Sequence, residues 1–284
     1  MHALLALGLL ASGVSDRGIF TDLDAQVAPR MPPVAMHRPW LRYDRAHALV
    51  TLYDGDDPLK VYAAAADGRP ARDDDRAELD RVAPGAAKVA SPPARDEDRD
   101  GDGIVDRLDI LIGAKKLLFN HAKYIERYVS IPYPNGDVPR TEGVCSDTVI
   151  RALRNAGIDL QREVHEDILR APKAYPMVEK IDASINHRRV RTLLPWFQRH
   201  FATLPRGTRF LPGDVVFFDT FPSREGPDHL GVVSDRAGEH GVPLVINNWT
   251  DGAVDAEMDL LSWVPITHHF RANVSSSRTA GTGR

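Results

Sequence analysis

The stretch GVCSDTVIRALRNAGIDL, residues 143–160, holds the single cysteine of the chain and a clear helical period. Val149, Ala152, Leu153 and Ala156 recur at three- and four-residue spacing, the mark of a helix with one apolar face. Gly157 closes that helix as a C′ residue. Gly143 breaks the period upstream, so Cys145 falls in the first turn, with Ser146 and Asp147 as capping candidates. By type a cysteine is a small buried hydrophobe. A helix start, with its unpaired N–H groups and positive dipole end, favours a thiolate instead. Position thus speaks for a nucleophile.

A nucleophilic thiol needs a base within hydrogen-bond reach and a third group to orient that base. Of eleven histidines, His229 stands apart, because it opens the apolar run HLGVVSD (229–235) after a Gly-Pro-Asp loop. The run DVVFFDT (214–220) precedes it, beginning at Pro212-Gly213-Asp214. PLVINNW (243–249) follows and carries Asn247 and Asn248, either able to orient an imidazole. Helical patterns to about residue 202, then these strands, predict an α+β domain over 114–272, with the Cys145 helix on a small antiparallel sheet. Trp249 reads equally as packing or as a substrate platform. In YPNGDVP (133–139) a turn shapes the cleft rim, with Asp137 placed to touch substrate. INHRR (185–189) reads as a surface patch or as a carboxylate-binding wall.

The ordered segments VCSDTVIRALRNAGIDL, LPGDVVFFDTFPSREGPDHLGVV and VINNW resemble the NlpC/P60 papain-like superfamily of cell-wall cysteine peptidases and amidases. IPYPNGDVPRTEGVC, VHEDI, INHRRV and PITHHFR more closely resemble the DUF1287 family, bacterial proteins of unassigned activity. The resemblance implies a papain-like fold, Cys145 as nucleophile, His229 as base and Asn247 as orienter. It implies hydrolysis of an amide in peptidoglycan through an acyl-thioester. Trp249 and Asn248 fall beside that site as substrate contacts. One position departs: relatives that trim free-ended stem peptides carry Asp directly before the cysteine, where this chain has Val144. Acyl transfer to an amine needs only a different acceptor, and a non-catalytic wall- or partner-binding module is the alternative reading.

Residues 98–118, DRDGDGIVDRLDILIGAKKLL, place Asp98, Asp100, Asp102, Asp106 and Asp109 at loop positions 1, 3, 5, 9 and 12. Gly103 takes the sharp turn at position 6, and the Ile104 carbonyl supplies position 7. That spacing suits oxygen ligation of Ca²⁺, with a helix beginning at Asp109-Ile110. It resembles the calcium loops of dockerin repeats. The other reading is a solvated acidic turn.

Toward the N-terminus, HALVTLYDGDDPLKVYAAA predicts a hairpin about Asp54-Gly55, within a small region over 16–70. Residues 71–97 read as a linker and 273–284 as a disordered tail. ALLALGLLA (3–11) is too short to span a bilayer. With the small residues after it, it reads as an export signal over 1–15, although His2 stands where Lys or Arg is usual. The expected location is periplasmic or secreted, with cytoplasmic as the alternative. A net charge of −4 without a basic stripe speaks against nucleic acid, and one cysteine excludes an internal disulfide.

Overall fold

The computed structural model describes residues 38–45, 48–55, 57–88, 98–102, 104–221, 225–238 and 241–272. The expected export signal, the expected tail and Gly103 lie outside the described residues. No helix among the described residues is long and apolar enough to cross a membrane.

The N-terminal hairpin forms as its turn signal predicts. Strands β2 (Leu49–Asp54) and β3 (Asp57–Ala63) pair antiparallel, and β1 (Pro39–Asp44) adds to β2 on its other side. The expected linker is corrected over 73–88. Helix α1 (Asp73–Val82) covers the sheet, and β4 (Ala87–Lys88) runs parallel to β1. Its charge-rich composition hides the reason: Leu79 and Ala83, with Val82 partly buried beside them, seat it on Val50, Leu52, Leu59 and Tyr62. Asp73, Asp74 and Asp75 lie in the first turn of α1, where the helix dipole favours them.

The larger body begins earlier than residue 114. Helix α2 (Asp106–Leu117) starts three residues before the predicted Asp109, and Leu108, Ile110, Leu111 and Ile112 enter the main core. Then come β5 (Lys123–Tyr124), β6 (Glu142–Gly143), α3 (Cys145–Asn155), α4 (Leu160–Arg170) and α5 (Val190–His200). Six strands finish the chain: β7 (Ala202–Thr203), β8 (Val215–Phe218), β9 (His229–Ala237), β10 (Pro243–Asn247), β11 (Ala256–Met258) and β12 (Ile266–Arg271). They form one antiparallel sheet ordered β11-β10-β9-β8-β12-β7. The architecture is α+β, helices first and sheet afterwards, as the order of patterns predicts.

The strand run VVFF is apolar throughout because both faces of the sheet are covered. Val215 and Phe217 meet the helices, while Val216 and Phe218 join a second cluster with Leu260 and Val264. Helix α3 lies against this sheet through Val149, Ala152, Leu153 and Ala156, the residues its period selects. Gly157 takes φ +71°, and Ile158 N–H donates to the Leu153 carbonyl at 3.0 Å, closing α3 as predicted.

The Pro-Gly-Asp motif is a joint between helix and sheet. Gly213 has φ +86°, and a Cβ there would lie 1.9 Å from the Arg107 carbonyl oxygen of α2. The Asp214 carboxylate accepts from Leu211 N–H, His269 Nε2 and both Arg271 Nε and Nη2, at 2.7–2.8 Å. These contacts fix the start of β8, and through it β9.

Candidate active site

Cys145 is the first residue of α3, following an extended Val144 at the N-cap. His229 is the first residue of β9 and Asn247 the last of β10. All three are buried. The Leu230 backbone, one residue past His229, acts on the Cys145 thiol and favours its ionised form, which places the thiol against the start of β9. His229 Nε2 lies 3.1 Å from Asn247 Oδ1. The amide is oriented by its other end, since Asn247 Nδ2 donates to the Val245 carbonyl at 3.2 Å. Oδ1 therefore accepts from a protonated Nε2, which leaves Nδ1 as the basic nitrogen.

Trp249 packs edge-on against the His229 ring, with centroids 4.8 Å apart, and Trp263 packs on Trp249 at 5.4 Å. The indoles cover the imidazole and its bond to Asn247.

Cys145 and Ser146 line a cleft of about 490 Å³. Its walls come from Tyr124–Tyr128, from Ile185–Arg191 and from Pro227 and Asp228, just before His229. Helix α3 is held there by a buried ion pair. Asp147 receives Arg188 Nε and Nη2 at 2.7 and 2.8 Å, and also accepts from Val144 N–H at 2.8 Å. Ser146 donates its hydroxyl to the Arg188 carbonyl at 2.8 Å rather than capping the helix.

The electrostatics correct the thiolate expectation. Burial pushes the Cys145 thiol up to about 12; the Leu230 backbone bond opposes this, while the Asp147 and Asp228 carboxylates add to it. Burial likewise depresses His229 to about 4, against the opposing bond to Asn247. Near neutral pH both groups are uncharged, a thiol and an imidazole. A helix start favours thiolate only where water or a cation shares the task, and this thiol, though it borders the cleft, is almost wholly buried.

His187, expected on the surface, is buried beside Arg188, and burial lowers it to about 4 as well. Two such histidines bind protons more readily when unfolded, between pH 4 and 6.5, so stability is lost as pH falls through that window. Each is worth on the order of 3 kcal/mol. Asp255, buried beneath α3 and accepting from Thr148 Oγ1 at 2.6 Å, is raised by burial to about 6 and works in the opposite direction. The histidines prevail by number. Urea midpoints should rise from pH 4 to 6.5, and His187→Gln should remove most of the rise, because Asp255 then offsets the one remaining histidine; a flat wild-type profile would contradict the buried neutral histidines.

The remaining expected contacts go elsewhere. Asp137 bonds Arg151 Nε and Arg154 Nη1, both at 3.0 Å, and fastens the 133–139 turn to α3 instead of facing the cleft. Asn248 is fully buried, and its Nδ2 donates to the Ala122 carbonyl at 2.9 Å. Both departures have one cause: partners distant in sequence claim the side chain. Tyr124, which no sequence pattern singles out, lines the cleft, as does Arg188 of the INHRR run. In the acidic loop, carboxylate oxygens of Asp98, Asp100 and Asp102 all lie within 4.8 Å of one another. Asp106 engages Arg99 at 3.0 Å, and Asp109 bonds Asn155 of α3. Ile104 N–H donates to Asp102 Oδ1 at 2.8 Å.

The model of the DUF1287 family, described as a domain of unknown function, matches residues 111–272, more than half of the chain. The chain belongs to the DUF1287 family. The matched DUF1287 region spans the cleft and the whole six-stranded sheet. An uncharacterized Escherichia coli (strain K12) protein, YijF, is 40% identical over 168 residues, 57% of this chain and 80% of its own length. Among solved structures, NlpC2 from Trichomonas vaginalis aligns with 12% identity and a TM-score of 0.34, covering 88% of this chain and 74% of that one. That likeness is too loose to define the DUF1287 fold.

Proposed function

We propose that this DUF1287 protein is a cysteine hydrolase with a papain-like site, cleaving amides of peptidoglycan or related peptides. The observation that supports it is the His229 Nε2–Asn247 Oδ1 contact at 3.1 Å, on a strand whose start, with Asp228 before it, borders the same cleft as Cys145. Attack proceeds from the neutral pair. His229 Nδ1 takes the thiol proton as sulfur bonds the carbonyl carbon, then delivers it to the departing amine. Water, deprotonated by the same nitrogen, releases the acid and restores the thiol. Backbone N–H groups at the α3 start hold the oxyanion. The Tyr124 hydroxyl, kept protonated because burial and then Cys145 push it up to about 12, offers a further donor in the cleft. The test is incubation with peptidoglycan fragments and mass analysis of the products. New amines and acids from wild type, absent with Cys145→Ala, support hydrolysis. Intact fragments retained by both proteins support the binding module.

We further propose that the 98–109 loop binds Ca²⁺ through Asp98, Asp100 and Asp102. Three carboxylates so close repel one another, and a divalent cation offsets that. Asp106 and Asp109, spoken for by Arg99 and Asn155, would join only by exchanging partners. Ca²⁺ at a hundredfold excess over its Kd should add about 2.7 kcal/mol to stability. Asp100→Ala should remove that response. Calorimetry without heat at low ionic strength would leave a solvated turn.

A further inference from the structure

Four arginines line the cleft above Cys145: Arg127, Arg188, Arg189 and Arg191. Two are committed. Arg127 pairs with Glu142 at 2.5 Å, and Arg188 with Asp147. Arg189 and Arg191 are exposed, and neither guanidinium pairs with a carboxylate among the described residues. They flank the start of α5, with Arg189 at its N-cap. No side chain caps that helix, and its first turn contains no acidic residue. Its leading N–H groups thus add to the positive potential of the two guanidinium groups. Two acids share the cleft on other segments: Glu126, and Asp228, whose carboxylate accepts from the neutral Thr220 N–H and hydroxyl at 2.8 and 2.9 Å. The 185–191 wall thus presents two guanidinium groups without a carboxylate partner among the described residues, in a chain of net charge −4.

We propose that Arg189 and Arg191 bind a carboxylate of the substrate, so that the hydrolase acts on anionic peptides. Planar guanidinium forks match a carboxylate in shape and charge. The inference rests on the cysteine-hydrolase reading for the bond cleaved, but the anion site itself is measurable without catalysis. Val144 leaves no carboxylate before Cys145 to hold a substrate amine, which fits recognition by the acid end.

Two measurements separate the inference from the reading beneath it. The first compares Cys145 alkylation by anionic iodoacetate and neutral iodoacetamide, each normalised to a neutral model thiol. In wild type the iodoacetate ratio should be raised by about tenfold at low salt and fall as salt is added. Arg189→Gln/Arg191→Gln should abolish that preference. The second measures anisotropy of a dansylated tripeptide, with a free C-terminal carboxylate or its amide, on the Cys145→Ala protein. The carboxylate form should bind more tightly, and the double variant should bind both forms alike. Equal binding of the two forms, or binding of neither, overturns the anion site whatever the thiol does. Preferential binding of the carboxylate with a thiol inert to both reagents upholds the anion site and overturns the hydrolase.

Discussion

Cys145→Ala is expected to lower peptide hydrolysis by at least about 10³-fold, and His229→Ala by a similar factor, because nucleophile and base act as one unit. Their combined variant should lose little more than either alone. Asn247→Ala should cost less, since it leaves both reacting groups in place and removes only the bond that fixes the imidazole tautomer. The pH profile carries the finer test. With His229 depressed to about 4 and the thiol raised to about 12, kcat/KM should rise through about pH 4 to a broad plateau. An acid limb near 6.5 together with fast alkylation at pH 6 would mean an imidazolium–thiolate pair instead. In His229→Ala, iodoacetamide labelling should need strongly alkaline pH, because burial of the thiol then has no base to offset it.

Much of this site could be read locally. The α3 period, its Gly157 stop, the hairpin at Asp54-Gly55 and the apolar runs of β8–β10 each depend on residues within a few positions. The order Cys145, His229, Asn247 along those elements was legible for the same reason, and His229 does meet Asn247. What escaped depends on partners far along the chain. Arg188 is buried because Asp147 lies 41 residues before it, and Asp137 is drawn to Arg151 and Arg154. Asn248 is claimed by Ala122, 126 residues away. The thiol's raised pKa is also non-local, since a helix start promises stabilisation that burial in the folded core removes. Helix α1 escaped on composition, because Leu79, Val82 and Ala83 seat it among many charges.

Asp147→Ala should be the most damaging single change to the fold beneath the cleft. Asp147 and Arg188 are both nearly fully buried, and the bond is bidentate. Removing the acid leaves a guanidinium that cannot lose its proton, enclosed without a counter-charge, at a cost of about 3–5 kcal/mol. It also frees Val144 N–H and unpins the Ile185–Arg191 wall from α3. Asp147→Asn should cost less, because its amide oxygen still accepts from Val144 and Arg188. Arg188→Met combined with Asp147→Ala should recover part of the loss, since no charge remains buried. The cycle is read from urea midpoints of the four proteins, and Cys145 alkylation supplies an independent measure. The Asp147 carboxylate raises the thiol pKa, so Asp147→Asn should speed labelling at neutral pH. An Asp147→Ala loss within about 0.5 kcal/mol, the range of ordinary surface changes, would mean the pair is not enclosed. The α3 start would then be free to move, and Cys145 with it.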